Sequence, residues 1–381
     1  MDFSWTEEQL DYRAAVVEFA KNELNNDVAG RDERGEFDRD AWKKCGAFGL
    51  QGLPFSEEHG GQGASALTTV MAMEALGYGS KDNGFLFSLN AHMWAGTMPL
   101  ETFGTEEQKE RWLPGLCDGS LISGQAITEP DTGSDAYALH ATVRRDGDDF
   151  VLNGTKTYVT NAPVADIVIV FASIDRSKGW AGLCAFIVEK DTPGLVVESS
   201  FDKMGLRTSP MSGMSFNDCV VPGENLIGKV GSGMMVFNHS IEWERSCILA
   251  STVGTMERKL EECIAYANQR EQFGQSIGKF QSVSHKIAEM KTRLETSRLL
   301  LYRHAWNRDQ GKATAMDSSM VKYYLSEAFV QTSLDAVQIH GGSGYMKETE
   351  VERDVRDSLA SKIYSGTTEI QKNVIARNLG L

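Results

Sequence analysis

Apolar positions recur at helical spacing through the first hundred residues of the chain. After Thr6, two glutamates precede apolar residues spaced three or four apart, and residues 67–79 and 85–103 repeat this spacing. A hydroxyl side chain followed by acidic residues is typical of a helix start. Gly104 and Thr105 predict the end of one helix and the N-cap of the next. The first part of the chain is therefore predicted to be helical.

The pattern changes near residue 122. Short runs of β-branched and apolar residues now alternate with Gly, Pro, Asn and Asp, which is typical of strands separated by turns. The run that ends at Asn153-Gly154 predicts a strand entering a hairpin-type turn. We expect strands over residues 149–154, 165–173, 183–189, 195–199 and 214–221. Strands this short and this closely spaced indicate a compact β domain.

Helical spacing returns from Gly233 onward. Residues 284–309 and 318–339 are the longest helix candidates, and the first of them has an apolar stripe flanked by charged residues. The order helical, then β, then helical predicts an α+β multidomain protein. Its parts are an N-terminal helical domain, a middle β-barrel-like domain and a C-terminal helical bundle, over residues 1–121, 122–232 and 233–381.

Charge and composition narrow the choice of partners. The chain has 381 residues and a formal net charge of −15, which argues against nucleic acid and membrane surfaces, because both bind clustered Lys and Arg. The segment Met1–Glu8 is acidic and lacks the basic-then-apolar pattern of a signal peptide. The six cysteines show no CxxC spacing. We therefore expect a cytoplasmic protein with reduced thiols and no metal site.

Two segments beside the predicted β domain are candidates for ligand contact. The polar run Ala126–Asp135 contains Gly133 and several hydroxyl side chains. It is either a capped structural turn or a place where the small residue lets the backbone approach a ligand. The strand-like run Lys156–Asn161 combines an aromatic with hydroxyls, a pattern that more often means core plus surface than a binding site.

Two segments in the C-terminal part suggest a phosphate or adenine ligand. In Arg270–Gly274, followed by Phe280-Gln281, the guanidinium fork suits a pyrophosphate and the aromatic can pack on an adenine. A helix C-terminus with a glycine cap explains the first run equally well. Gln338–Tyr345 has three glycines in four residues, which allow close backbone contact with a phosphate. His340 is interpreted as a packing or ribose-proximal histidine rather than a base.

Together with Ile363–Gln371, these segments resemble in order and spacing the fingerprints of the acyl-CoA dehydrogenase family, FAD enzymes that desaturate acyl thioesters. The resemblance covers essentially the whole chain. It implies the three-part fold, FAD as cofactor and a homotetramer in which Arg270, Phe273, Gln338 and Gly342 reach the FAD of a neighbouring subunit. It also implies that the flavin lies against Gln125, Ile127, Thr128, Ser134, Tyr158 and Thr160. The other cofactor residues that it implies are Gln281, Gly341, Tyr364, Thr367 and Glu369.

The position that carries the catalytic glutamate in many members of that family is Ser365 here. The reaction requires a base on one face of the thioester Cα–Cβ bond. Some members resemble this chain in placing the base on another helix, at the position of Glu244, which the resemblance therefore implies as catalytic base. An ion-paired surface glutamate is the alternative. Trp243 should raise its pKa and Arg245 could hold it ionised. Ser365 would keep only its backbone N–H, which stabilises the enolate oxygen.

One branch of the family resembles this chain more closely: the dehydrogenases or oxidases of secondary metabolite biosynthesis that act on prolyl groups tethered to a carrier protein. The resemblance includes Trp243-Glu244-Arg245, Ser365-Gly366-Thr367, Gly84–Leu89 and Ile375–Leu381. It implies oxidation of an L-prolyl thioester on a peptidyl carrier protein, with electrons passing to an electron-transfer flavoprotein or to O2. The short substrate pocket that it implies consists of Phe87, Leu89, His92, Trp243 and Arg245.

Two alternatives stay open at this point. A short- or branched-chain acyl-CoA dehydrogenase coupled to an electron-transfer flavoprotein would share the flavin motifs, and the run Gln338–Gly344 looks more like the general family than the prolyl branch. A non-catalytic flavin-binding paralogue would explain Ser365 by lost activity. Bleaching of the flavin by prolyl-carrier protein, by short acyl-CoA or by neither would separate the three.

Overall fold

A computed structural model describes residues 4–381. Met1–Phe3, which belong to the acidic segment interpreted as lacking a signal sequence, lie outside the described residues. Within the described part, no helix combines the length and the apolar composition that crossing a membrane requires. The six cysteines are all buried and free of disulfide bonds.

Seven α-helices form the N-terminal part. They are α1 Glu7–Glu23, α2 Val28–Arg34, α3 Arg39–Phe48, α4 Ala66–Gly79, α5 Asn83–Asn90, α6 Met98–Phe103 and α7 Glu106–Cys117. Thr6 and Thr105 each cap a helix through a capping box, as their hydroxyls predict. The single helix expected over residues 85–103 is instead divided, because a π-helical segment, Ala91–Thr97, separates α5 from α6. Pro99 lies in the first turn of α6, where its missing N–H is tolerated.

The middle part is an eight-stranded sheet. Its strands are β1 Ser123–Ala126, β2 Thr142–Asp146, β3 Asp149–Thr160, β4 Ile167–Ser173, β5 Leu183–Glu189, β6 Leu195–Val197, β7 Met211–Val221 and β8 Leu226–Ile227. The pairing order is β6-β7-β3-β2-β4-β5-β8, and β1 pairs in parallel with β4. Since β6 and β8 are the two ends of this order and do not pair with each other, backbone hydrogen bonds do not close the expected barrel among the described residues.

The predicted turn at Asn153-Gly154 is wrong. The β2–β3 hairpin turns earlier, at residues 147–148, because Asp146 pairs with Asp149. Asn153 and Gly154 lie inside β3, where the register against β7 shifts between Leu152 and Gly154. Gly154 has φ +143°, and a Cβ there would lie 2.7 Å from the Ala141 backbone. The glycine therefore allows a β-bulge and the close approach of the Ala141 backbone, and it does not form a turn.

Six helices and a small hairpin form the C-terminal part. They are α8 Gly233–Cys247, α9 Ala250–Gln269, the hairpin of β9 Glu271–Gln272 and β10 Gln275–Ser276, then α10 Gln281–Asp309, α11 Ala315–His340, α12 Val351–Ala360 and α13 Thr368–Asn378. One core cluster contains side chains from both helical parts, from Val16 to Val351, and a second lies within the sheet. The architecture is thus two helical domains and a β-sheet domain, while the boundaries after residues 121 and 232 stay predictions.

Candidate active site

A carboxylate and a hydroxyl meet at the contact between α8 and the loop that precedes α13. The Ser365 hydroxyl donates to Glu244 Oε1 at 2.5 Å. Glu244 lies three residues from the C-terminal end of α8 and is half-buried. The prediction that Ser365 contributes only its backbone is therefore corrected, because its side chain is directly bonded to the candidate base.

The loop around Ser365 is held in one conformation by side chains of α8 and α13. Ser365 has φ +56°, a left-handed conformation that non-glycine residues adopt only when neighbours stabilise it. The Arg245 Nε donates to the Ser365 carbonyl at 3.0 Å, and the Gln371 amide donates to the same carbonyl and to that of Gly366. The Ser365 N–H donates to no acceptor among residues 4–381 and is available to a ligand.

Burial and hydrogen bonding act in opposite directions on the candidate base. Desolvation raises the pKa of Glu244 above its ordinary value and is the larger effect, whereas the Ser365 hydroxyl, Arg245 and Lys322 favour the ionised form. A glutamate whose pKa is raised, but which still has hydrogen-bonding and cationic neighbours, is suited to accept a proton near neutral pH.

Aromatic side chains lie near the Glu244–Ser365 contact. The Phe87 and Tyr364 rings lie 4.6 Å apart, centroid to centroid, so Phe87 is close to the Ser365 loop, while its role as a pocket residue stays a prediction. Trp243 lies between two partners: its ring is parallel to that of Trp94 at 5.6 Å, and the Arg308 guanidinium lies over it at 4.1 Å. Trp243 therefore anchors α8 to the π-helical segment and to α10.

Two residues predicted for the substrate pocket lie in the core instead. Leu89 and His92 are both 0% exposed. One ring nitrogen of His92 bonds the Leu116 carbonyl at 2.9 Å and the other accepts from the Ser123 N–H at 3.0 Å. Burial lowers the pKa of His92 to about 4, so it is neutral. Leu89 is two residues from Phe87 on α5, so these two side chains point to different sides of that helix.

The first two predicted flavin segments are bonded to each other. The Thr157 N–H donates to the Thr128 carbonyl at 2.9 Å. Buried Lys156 donates to Glu129 at 2.7 Å and to the Ile127 carbonyl at 3.0 Å. The Gln125 amide donates to the Ala95 carbonyl and to Ser240 of α8. The structure thus brings one end of β3, the polar run and the helix of Glu244 together.

The side chains of the remaining residues predicted to contact the flavin are exposed or half-buried. The Tyr158 side chain is 66% exposed on β3, with φ +55°, and Ser134 is exposed while Thr160 is half-buried. Thr367 caps α13 by accepting from the Ile370 N–H, and Glu369 is exposed in the first turn of that helix. A large aromatic left uncovered on a strand indicates a surface that a ligand can cover.

The predicted adenine group lies on α9, α10, α11 and the connections beside them. The Tyr266 ring stacks on His340 at 4.3 Å and its hydroxyl bonds the His340 carbonyl, which joins the end of α9 to the glycine-rich turn. Phe273 is 93% exposed, Arg270 makes no ion pair among residues 4–381, and a Cβ on Gly341 or Gly342 would meet no atom within 4 Å. Gln281 and Gln338 are also exposed.

No hydrogen bond, ion pair or ring contact joins this adenine group to the flavin group within residues 4–381. One residue near Glu244 was missed: Lys322 on α11, which is buried, makes no hydrogen bond or ion pair among residues 4–381 and carries a pKa lowered chiefly by burial. A lysine on the apolar stripe that contains Val321 and Leu325 is the sequence signal that could have identified it.

The two defined surface cavities do not coincide with the candidate site. One, of about 430 Å³, lies between the β2–β3 turn and Pro222–Leu226; the other, of about 260 Å³, lies between α9 and α12 beside His340. Neither cavity contains Glu244 or Ser365. The candidate active site is therefore identified by the chemistry of its side chains and not by the size of a cavity.

Comparisons with known proteins cover the whole chain. Residues 6–120, 124–219 and 231–380 match the models of the acyl-CoA dehydrogenase N-terminal, middle and C-terminal domains. The chain is 42% identical over 381 residues to an L-prolyl-[peptidyl-carrier protein] dehydrogenase of Serratia sp., with 100% of this chain and 99% of the relative covered. It is 37% identical to a short-chain specific acyl-CoA dehydrogenase of Clostridium acetobutylicum, with 99% of each covered.

Two solved structures are also similar to this chain over nearly its whole length. The prolyl acyl carrier protein oxidase AnaB is 50% identical with a TM-score of 0.98, covering 99% of this chain and 100% of its own. The structure of PigA with FAD and proline is 42% identical, also with a TM-score of 0.98 and with both chains fully covered.

Proposed function

This chain belongs to the acyl-CoA dehydrogenase family, and from that premise we propose that it is an FAD-dependent dehydrogenase or oxidase of a short acyl or aminoacyl thioester. The preferred substrate is L-prolyl on a peptidyl carrier protein, as in the names of its relatives. The observation that carries the proposal is the contact between Glu244 and Ser365. A carboxylate lies beside the position where many family members carry theirs, so a base is present although residue 365 is serine.

The residues of the site fit FAD. The uncovered Tyr158 ring, the Gln125 segment and the α13 cap would hold the flavin. Arg270 and Phe273, with the open glycine-rich turn, would hold the pyrophosphate and adenine of a neighbouring subunit's cofactor. The flavin group and the adenine group of residues do not meet within one chain. A cofactor whose flavin is bound by one subunit and whose adenine is bound by a neighbouring subunit would explain both groups, and we therefore propose a homotetramer.

The chain's own residues perform the proton chemistry. Glu244 removes the α-proton, and its raised pKa makes it a stronger base than a free glutamate. The free Ser365 N–H donates to the thioester oxygen, where negative charge develops. The Ser365 hydroxyl and Arg245 fix the carboxylate and the loop in place. When bound, the flavin supplies the acceptor for the β-hydride.

The partners follow from the same proposal. The carrier protein delivers the prolyl thioester, and an electron-transfer flavoprotein or O2 accepts the electrons. The six buried, unbridged cysteines support a reducing compartment, and we place the reaction in the cytoplasm.

A short- or branched-chain acyl-CoA dehydrogenase is the second candidate. Its support is the identity of 37% to the short-chain specific enzyme of Clostridium acetobutylicum over nearly the whole chain. A non-catalytic flavin-binding paralogue is a weaker third candidate, because a base lies beside Ser365.

The deciding experiment is anaerobic stopped-flow reduction of the flavin in the purified holoenzyme. Prolyl-carrier protein, butyryl-CoA and isovaleryl-CoA are compared at equal concentration. We expect the prolyl thioester to bleach the flavin fastest. Faster bleaching by either CoA ester would favour the second candidate, and absence of bleaching by all three would favour the paralogue.

A further inference from the structure

A lysine without a partner lies in the interior next to the candidate base. Lys322, on α11, is 0% exposed, and its Nζ makes neither a hydrogen bond nor an ion pair among residues 4–381. It lies over the Tyr364 ring, whose centroid is 5.9 Å away. A buried ammonium normally has a hydrogen-bonded or charged partner, because desolvating an isolated charge is costly. An unpartnered amine therefore requires an explanation.

The position of this amine is defined by the groups around it. α11 packs against both α8, which carries Glu244 and Arg245, and α13, which carries Glu369. Tyr364, whose ring lies under the amine, directly precedes Ser365, and the latter bonds Glu244. The amine and the candidate base therefore both lie close to the Tyr364-Ser365 segment.

Electrostatics leave this amine able to act as an acceptor. Burial, the larger effect, and the neighbouring Arg245 lower the pKa of Lys322 to about 7. Glu244 on α8, Glu327 on α11 itself and Glu369 on α13 raise it less. Near neutral pH a large fraction of the side chain is neutral, and a neutral amine can both donate and accept one hydrogen bond.

We propose that Lys322 is a recognition subsite for the nitrogen atom of an aminoacyl thioester. The inference rests on the proposed function, since it concerns the same site. In a prolyl thioester the nitrogen is bonded to the Cα whose proton Glu244 removes. A group that serves as partner for that nitrogen must therefore lie beside Glu244. Two buried side-chain atoms near the Ser365 loop have no hydrogen-bond partner among residues 4–381, Lys322 Nζ and Gln371 Oε1. The Gln371 side chain is already held by its amide on the Ser365 and Gly366 carbonyls, so Lys322 is the one of the two whose whole hydrogen-bonding capacity is unused.

This subsite would distinguish aminoacyl from simple acyl substrates. An acyl thioester has only C–H groups at that place and would leave the buried Nζ unsatisfied, which is unfavourable. The ring nitrogen of a prolyl group would form a hydrogen bond with that Nζ. Two other roles for Lys322 predict different behaviour: a purely packing role over Tyr364, and a general electrostatic effect on Glu244. Both would act equally on any acyl chain.

The test compares two substrates of the same shape. L-prolyl and cyclopentanecarbonyl thioesters on the same carrier protein differ at the nitrogen position. Flavin reduction and binding are measured for the wild-type holoenzyme and for Lys322→Met, which keeps length and apolar packing. We expect the preference for prolyl over cyclopentanecarbonyl to fall roughly tenfold to hundredfold in Lys322→Met, as for loss of one buried hydrogen bond. Lys322→Gln, which can donate and accept, should retain more of the preference.

The pH dependence gives a second readout. Below about pH 7 Lys322 is protonated and repels a protonated ring nitrogen. The wild-type preference for prolyl should therefore weaken as the pH falls through 7, and this step should be absent in Lys322→Met. An equal loss for both substrates, or an unchanged preference, would overturn the proposal. If the wild-type enzyme failed to oxidise the prolyl thioester at all, the proposed function itself would be wrong instead.

Discussion

At the scale of single residues, the site depends on an exchange between two positions. Ser365 stands where a carboxylate is expected in many relatives, and Glu244 reaches its hydroxyl from a helix 121 residues earlier in the chain. The hydroxyl is small enough to leave room for that carboxylate and polar enough to bond it. In the proposed mechanism, the exchange therefore keeps a base beside residue 365 while moving it to a different element.

Glu244→Gln should retain FAD but reduce it at least ~10²–10⁴-fold more slowly, because the amide keeps the shape and loses basicity. Stopped-flow reduction measures the rate and the visible spectrum measures bound flavin. Glu242→Gln is the matched control, since residues two apart on a helix do not share a face, and it should behave like the wild type. Near-normal reduction by Glu244→Gln would contradict its assignment as base.

The pH profile of reduction should report the same carboxylate. Because the pKa of Glu244 is raised, the rate should increase with pH through a value above the ~4.3 of a free glutamate. Ser365→Ala removes a hydrogen bond that favours the ionised form, so its acidic limb should move to higher pH. On that limb the rate should fall roughly tenfold, and it should recover at higher pH. A uniform loss at every pH would mean that the hydroxyl acts on something else.

Residue-scale expectations failed where a helix face was assigned from residue type alone. Leu89 and His92 were expected in the pocket because they are bulky and lie near Phe87. The structure buries both completely, and His92 lies among α3, α7 and β1, where Trp42 is edge-on to the imidazole. Which side of a helix another element covers does not follow from the residues on that helix.

At the scale of elements, a buried ion pair attaches the polar run 126–135 to β3. Lys156 and Glu129 have 0% and 3% of their side chains exposed, and Glu129 also accepts from the N–H groups of His140 and Ala141. Burial raises the pKa of Glu129, but these partners together hold it below its ordinary value. The pair therefore positions a loop that is predicted to contact the flavin.

Lys156→Met should destabilise the folded protein by about 3–5 kcal/mol, because it leaves a buried carboxylate uncompensated. The double variant Lys156→Met/Glu129→Gln should recover much of this loss. Urea unfolding of the holoenzyme at pH 7 measures both. Since the pKa of Glu129 is lowered on folding, the stabilisation is present above about pH 4.3 and declines as the pH falls through the folded value. Equal stability of the single and double variants at pH 7 would contradict this account.

At the scale of the whole molecule, the two cofactor groups are separate features of one chain. Phe273 exposes 93% of its surface, with φ +53°, and Arg270 has no charged partner within residues 4–381. An exposed aromatic beside a guanidinium without an ion pair is a surface that a ligand with an aromatic ring and a negative charge can cover. A neighbouring subunit's FAD would cover both, which links cofactor binding to assembly.

Arg270→Ala should weaken FAD binding and the oligomer together, because a ligand that bridges subunits stabilises both equilibria. Absorbance after gel filtration measures the flavin content, and light scattering measures the mass. Arg39→Ala, another exposed arginine without an ion pair among the described residues, is the control and should change neither. A tetramer of unchanged stability with unchanged FAD affinity would contradict the linkage.

The sequence by itself determined the order of helical and β segments and the caps at Thr6 and Thr105. These properties are local or follow from spacing, because periodicity reports which face of an element is apolar and caps depend on neighbouring residues. The four ligand segments and Glu244 as the candidate base came from the resemblance to the family and stay predictions. The tertiary structure alone decided that the Ser365 hydroxyl reaches Glu244, that β3 continues through Asn153-Gly154, and that Lys322 is left without a partner. Each of these depends on which distant element covers a given face, and a pattern along one chain does not contain that information.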